Sequence, residues 1–197
     1  MSADVSANTV AADAAVVQAM RTWLERAVIG LNLCPFAKAV HVKGQIHYAV
    51  CHATEPEALR EALVHELEAL VASDAAVRDT TLLIAPGLFA DFLDFNDFLA
   101  EADNVLAELD LDGVVQIASF HPRYQFGGTA PDDISNYTNR APYPTLHLLR
   151  EDSVERAVQA FPEAETIFER NMQTLETLGH AGWQALGLET EQGPSTP

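Results

Sequence analysis

The sequence has little cysteine: only Cys34 and Cys51, which lie too far apart for a CxxC motif. Small secreted domains that depend on disulfides use much more, so we expect two free thiols in a reducing compartment. A basic and then apolar leader is missing, and no apolar run reaches the roughly 18 residues of a membrane span. We therefore expect a cytoplasmic protein without a membrane partner.

Basic residues are also scarce. Eleven lysines and arginines stand against 29 aspartates and glutamates, which gives a formal net charge of −18 at pH 7. A field of this sign repels the phosphate backbone of nucleic acids, so we expect no nucleic acid partner. A small anionic ligand is still compatible with the composition if the few arginines gather at one place.

The motifs of several large enzyme classes are missing from the sequence. It contains no G-x-G-x-x-G, no Walker loop and no G-x-S-x-G, which removes the strong cases for a dinucleotide enzyme, a P-loop nucleotidase and an α/β-hydrolase. It also lacks H-x-H, H-E-x-x-H and a cysteine pair, so spacing predicts no metal site. The cofactor, if there is one, stays unknown.

Apolar periodicity predicts a single α/β domain over residues 10–188, between a flexible N-terminus at 1–9 and a flexible tail at 189–197. Strands and helices alternate, which is typical of crossover connections. The expected fold is a mixed, mainly parallel four-stranded sheet covered by about five helices. The last helix is expected to start near Ala164 and to end at Gly179.

The connection between the third and fourth predicted strands is the candidate site. It runs for 24 residues, from His121 to Pro144, and long ordered loops in compact domains are usually functional. It also begins at the carboxyl end of a strand, where α/β sheets tend to bind ligands. The cleft is therefore expected in the segment 119–151.

Side chains suited to acid–base and anion chemistry lie in this segment. His121 is the candidate general acid or base, with Asp133 to orient it. Arg123 and Arg140 are the candidate anion-binding groups. The further ligand-binding candidates are Tyr124, Asn136, His147 and Glu151. In the alternative interpretation, the aspartates and asparagines cap turns and bond their own backbone.

Cys34, in the segment NLCPFA, is a conditional nucleophile. A reactive thiol needs a lowered pKa, which a neighbouring histidine or arginine would provide. The local neighbours are apolar, and free cysteine commonly behaves as a small buried hydrophobe. Both interpretations of Cys34 stay open at the level of sequence.

Three segments together resemble a known family: NLCPFA at 32–37, QIASFHPRYQFGGT at 116–129 and NYTNRAPYPTLHLLRE at 136–151. The chain resembles the uncharacterised bacterial family catalogued as domain of unknown function 1415. The resemblance implies a bacterial protein and brings no assigned activity. It implies a grouping of the residues that these motifs contain, namely Cys34, His121, Asn136, Arg140, His147 and Glu151.

These observations lead to one main hypothesis and two rivals. The main hypothesis is a small-molecule enzyme of the hydrolase or acyl-transferase type that binds a polar or anionic substrate. The rivals are a non-catalytic binding or regulatory module, and a metal-binding protein that uses Cys34, His121 and His147. The sequence also leaves a homo-oligomer open.

Overall fold

The computed structural model describes residues 2–161 and 166–188 of the chain, with side chains from residue 9 onward. The strands are β1 (Ile46–Val50), β2 (Thr80–Ile84), β3 (Val115–Phe120) and β4 (Thr145–Arg150). The α-helices are α1 (Ser2–Trp23), α2 (Ala37–Val42), α3 (Pro56–Ala72), α4 (Phe92–Glu108), α5 (Glu151–Gln159) and α6 (Ile167–Ala185). A π-helix at Leu24–Ile29 continues α1, and a 3-10 helix at Ile134–Asn139 lies between β3 and β4.

The four strands form one mixed sheet in the order β1-β2-β4-β3. The predicted α/β architecture and four-stranded mixed sheet are confirmed. The prediction of a mainly parallel sheet is wrong, because β1 and β2 pair in parallel whereas β4 is antiparallel to both β2 and β3. The β3–β4 connection carries a 3-10 helix instead of a crossover α-helix, so β4 runs back along β3 and separates it from β2.

Helices cover both faces of the sheet. On one face α3 and α4 bury Leu63, Leu67 and Phe95 against Leu83 of β2. On the other face α1 and the π-helix bury a second cluster that includes Leu82 and Ile84 of β2 and Met20, Trp23 and Ala27. All five residues of β2 are buried, because this central strand is covered on both sides.

The carboxyl ends of β1, β2 and β3 lie at the same edge of the sheet as the start of β4. Thr145, the first residue of β4, pairs with Ile84 and with Phe120, which are the last residues of β2 and β3. The connection at 121–144 therefore leaves the sheet and returns to it at this edge. The fold places the predicted functional segment where ligands tend to bind in α/β sheets.

The flexibility expected at the two ends of the chain stays a prediction, whereas the last helix ends later than expected. Helix α1 begins at Ser2, within the stretch expected to be flexible, and the expected tail at 189–197 lies outside the described residues. Helix α6 continues past Gly179 to Ala185, with a kink at Gly179, where φ is 63° and ψ is 174°. No helix in the described ranges is long and apolar enough to cross a membrane.

Candidate functional site

A cavity of about 500 Å³ lies beside the carboxyl end of β3, on the side of the sheet covered by α1. It is formed by the π-helix and the turn after it, the end of β3, the β3–β4 connection and the first turns of α6. The apolar side chains that line it are Val28, Leu33, Phe120, Phe126, Ile167 and Phe168. The polar side chains that line it are Cys34, Thr138, Asn139 and Asn171.

The turn that presents Cys34 is held at both ends. The backbone N–H of Leu33 donates to Val28 O at 2.9 Å, and Asn32 takes a left-handed conformation with φ of 54°. The side-chain Nδ2 of Asn171 donates to Leu33 O at 2.8 Å, which ties this turn to α6. Pro35 keeps Cys34 out of the helical conformation, so α2 starts only after the turn.

Cys34 is a free, partly buried thiol. Burial raises its pKa, and the neighbouring backbone N–H groups of Phe36 and Ala37 lower it by less. The thiol form therefore predominates at neutral pH. The described residues that line the cavity include no histidine, so the question left open by the sequence, whether Cys34 meets His121, is answered in the negative for this cavity.

His121 lies on the opposite face of the sheet, against α4. Its side chain is 1% exposed and packs on the rings of Phe92 and Phe95, at centroid distances of 5.5 and 5.4 Å. Nε2 donates to Phe89 O at 2.8 Å, and Nδ1 accepts from the backbone N–H of Arg123 at 3.0 Å. Burial also lowers the pKa of His121. With both nitrogens bonded to backbone, this geometry favours a structural role over proton transfer.

Asp133 does not orient His121 in this structure. Its carboxylate accepts from the backbone N–H of Ser135 at 2.9 Å and caps the 3-10 helix. This bond lowers the pKa of Asp133. The geometry matches the turn-capping interpretation.

The two arginines do not converge on a common site. Arg140 donates from Nε to Tyr124 O at 3.3 Å and from Nη2 to Pro131 O at 2.6 Å. Its guanidinium also lies 4.1 Å from the ring centroid of Tyr137. Arg123 is exposed, and its guanidinium is 3.9 Å from the carboxylate of Asp91. Arg140 thus stabilises the β3–β4 connection, while Arg123 lies at the surface.

Asn136 is fully buried inside the same connection. Its Oδ1 accepts from the backbone N–H of Phe126 at 2.9 Å and from the Thr129 hydroxyl at 2.8 Å, and its Nδ2 donates to Ala130 O at 2.9 Å. Asn136 therefore replaces the hydrogen bonds that regular secondary structure would give this segment.

Of the remaining candidates, His147 lies in β4, Glu151 follows it, and Tyr124 lies in the β3–β4 connection. Burial lowers the pKa of His147 to about 4. Its Nε2 donates to the Thr80 hydroxyl at 2.7 Å, because that hydroxyl itself donates to Leu148 O. Glu151 begins α5 at the end of β4 remote from the cavity. Tyr124 packs on Phe92 and Phe126, at centroid distances of 4.9 and 5.1 Å.

Metal binding by Cys34, His121 and His147 has no geometric support. Cys34 lines the cavity, whereas His121 packs on the other face of the sheet. Within residues 2–161 and 166–188, no group of three or more His, Cys, Asp or Glu side chains could hold a metal ion.

A model of a protein family of unknown function, DUF1415, matches residues 15–185. The chain belongs to this family. In this DUF1415 protein the matched residues include every described residue that lines the cavity. No curated protein and no solved structure shows a significant match to the chain.

The sequence-based selection misses most of the cavity walls. In the sequence, Phe126 is interpreted as an aromatic residue that anchors the β3–β4 connection. Ile167 and Phe168 are interpreted as part of the apolar face that the last helix buries in the core. A usable signal exists in α6: Phe168 follows Ile167 directly and so lies outside a narrow helical stripe. It is 58% exposed, which is high for a phenylalanine.

Proposed function

We propose that this protein binds a small molecule in the cavity beside Cys34. The observation that carries the proposal is the cavity itself, whose volume of about 500 Å³ lies within the range of small-molecule sites. The composition of the cavity walls also agrees with such a site, because small-molecule sites combine mostly apolar walls with a few fixed polar groups.

The walls are supported by contacts between segments that are distant in sequence. Trp23 donates from Nε1 to Arg140 O at 2.8 Å, and its ring meets Phe120 edge-on at 5.1 Å between centroids. Asn171 of α6 bonds to Leu33 O. These contacts favour a cavity that exists before a ligand enters, which reduces the entropy lost on binding.

A fragment screen followed by amide NMR tests the proposal. We expect at least one small aromatic fragment to bind at about millimolar affinity and to shift amide signals of Val28, Phe126 and Asn171. The variant Phe168→Ala should weaken this binding by about tenfold, because one apolar wall is lost. Since Phe168 is largely exposed, the variant should keep its fold.

Glu169→Ala is the matched control, because Glu169 is an exposed neighbour on α6 that does not line the cavity. It should bind the fragment as the parent protein does. The proposal fails if no fragment binds, or if the shifted amides lie away from the cavity walls.

Thiol-dependent catalysis is a second candidate, of the hydrolase or acyl-transferase type. The observation that favours it is that Cys34 lines the cavity as a free thiol. In such a reaction the thiol loses its proton to solvent, sulfur bonds to the acyl carbon of an ester, and the alcohol leaves. Water then cleaves the thioester and releases the acid.

Intact-mass analysis with p-nitrophenyl acetate tests this chemistry. An acetyl group on Cys34 that turns over with time would support it, and Cys34→Ser should abolish both signals. Cys51→Ser is the control, because Cys51 packs with the cluster under α3 and α4 and should not matter. If no acetylated intermediate forms, the catalytic proposal fails and only the proposal of ligand binding remains.

A further inference from the structure

We infer that the ligand of this cavity is an uncharged molecule with a flat apolar body and a hydrogen-bond donor. This inference rests on the proposed function and specifies the class of ligand. It differs from the polar or anionic ligand expected from the sequence. Three properties of the cavity lead to it: the absence of charge in its described lining, the aromatic walls, and the acceptor oxygen of Asn171.

The lining described above consists of apolar side chains, two carboxamides, a hydroxyl and a thiol. An ion that enters loses much of its hydration, and none of these groups carries a charge to compensate. The net charge of −18 adds a field that repels anions in particular. Both effects favour an uncharged ligand.

The arginines expected to attract an anion are engaged elsewhere. Arg140 donates to two backbone carbonyls, and Arg123 lies beside Asp91 at the surface. Neither of them lines the cavity. An anion could therefore be recognised only if the β3–β4 connection were rearranged.

Aromatic rings from three segments form part of the walls: Phe120 at the end of β3, Phe126 in the connection and Phe168 on α6. Phe126 and Phe168 stand nearly perpendicular, at 89°, with their centroids 6.4 Å apart. Rings in this arrangement offer both a face and an edge to a flat partner. A planar apolar body makes the best use of such walls.

Asn171 supplies the hydrogen-bond acceptor. Asn171 lines the cavity, and its Nδ2 donates one hydrogen to Leu33 O, which leaves Oδ1 as the acceptor of this carboxamide. Within the described part of the chain, no donor is bonded to this oxygen. The other carboxamide, Asn139, donates to Ser119 O at 3.2 Å, and its Oδ1 lies 3.2 Å from the Thr138 hydroxyl, which shares its single hydrogen with Ser135 O at 3.0 Å. Of the two carboxamide oxygens, only Asn171 Oδ1 has no described donor near it, so we assign the bond from a ligand donor to Asn171.

Alkylation of Cys34 by a matched pair of reagents tests the charge preference. Iodoacetamide is uncharged and iodoacetate is an anion of similar size; each transfers its carbon to the thiolate and releases iodide. The ratio of the two rates, read by mass spectrometry, should be at least about tenfold higher at Cys34 in native protein than in urea-unfolded protein. It should persist at about 0.5 M salt, which screens the general field.

The outcomes separate this inference from the proposed function. Equal rate ratios in native and unfolded protein, with rapid native reaction, would overturn the uncharged-ligand inference and leave a cavity that admits small molecules. If Cys34 reacts with neither reagent until the protein unfolds, the cavity is closed and both proposals fail.

Phenol and toluene form the matched pair that tests the donor. In the parent protein, phenol should bind about fivefold or more tightly than toluene, because its hydroxyl donates to Asn171. In Asn171→Leu the preference for phenol should disappear. A merely structural role for Asn171 would weaken both ligands equally and keep the preference, which would overturn the assignment.

Discussion

The polar side chains of the β3–β4 connection are bonded mainly to the backbone around them. Asn136 satisfies three backbone or hydroxyl groups, Arg140 holds two carbonyls, and His121 bridges the connection to Phe89 O. A long segment without regular strands needs such partners, because a buried backbone group without one is costly. The same residue types serve catalytic sites, which is why the sequence alone suggested chemistry here.

Arg140 is the clearest example of a side chain that stabilises the connection. We expect Arg140→Ala to lower the free energy of unfolding by about 2–3 kcal/mol, because two charge-assisted hydrogen bonds and the stacking on Tyr137 are lost. Arg140→Lys should recover only part of this, since an ammonium lacks the planar fork. Urea unfolding measures both. A variant of full stability that no longer binds anions would instead support an anion-binding arginine.

His147 predicts a pH dependence of stability. Its pKa is lowered by burial from 6.5 to about 4, so between these values the unfolded chain binds a proton that the folded chain does not. Its stabilising contribution is therefore complete above about pH 6.5 and is lost as the pH falls towards 4. The loss should approach roughly 3 kcal/mol.

His147→Gln isolates this effect, because glutamine does not titrate. Between pH 7 and pH 4 the parent protein should lose more free energy of unfolding than the variant, as measured by urea unfolding. The other histidines whose pKa values are lowered, His47 and His121, are common to both proteins and cancel in the comparison. Parallel pH profiles would contradict the prediction, and NMR titration of the His147 ring gives an independent value.

Among the elements, α6 connects the cavity with the β3–β4 connection. Its first turns carry Phe168 and Asn171 at the cavity. Beyond the kink at Gly179, Trp183 packs edge-on against Tyr137 of the 3-10 helix, at 5.1 Å between centroids. The kink therefore lets one helix contact two parts of the site.

The backbone at Gly179 is nearly exclusive to glycine. A φ of 63° with a ψ of 174° strains any side chain, so Gly179→Ala should lower the free energy of unfolding by about 1–3 kcal/mol. If the kink changes in this variant, Trp183 moves relative to Tyr137, so the tryptophan fluorescence should change as well. Gly127→Ala is the control, because a methyl group there meets no atom within 4 Å, and it should be close to neutral.

At the scale of the whole molecule, the net charge of −18 dominates the electrostatics. Repulsion among these charges destabilises the compact state, and salt screens it. We expect the melting temperature at pH 7 to rise by roughly 3–6 °C between about 20 mM and about 500 mM sodium chloride. The rise should largely vanish near the isoelectric point of about 4.5, where the net charge is small. A melting temperature that falls with salt at pH 7 would show that specific ion pairs outweigh the net repulsion.

The sequence predicted the fold class better than the arrangement of its elements. The strands and the helices at 56–72 and 92–108 follow from apolar periodicity, because each must bury one face. The place of β4 in the sheet could not be predicted, since the order of strands depends on which neighbours meet after the chain folds back. The kink at Gly179 was missed because glycine marks helix ends and kinks alike.

Composition and pattern alone determined an acidic α/β chain, a mixed four-stranded sheet, and a polar segment that begins at the end of β3. Only the tertiary structure decided that His121 and Cys34 lie on opposite faces of the sheet and that Cys34 lines a cavity together with Phe126 and Phe168. The physical reason is that successive side chains at a strand end alternate between faces, so Phe120 and His121 point to different layers. Which distant segments cover each layer is set by packing, and no local pattern in the chain encodes it.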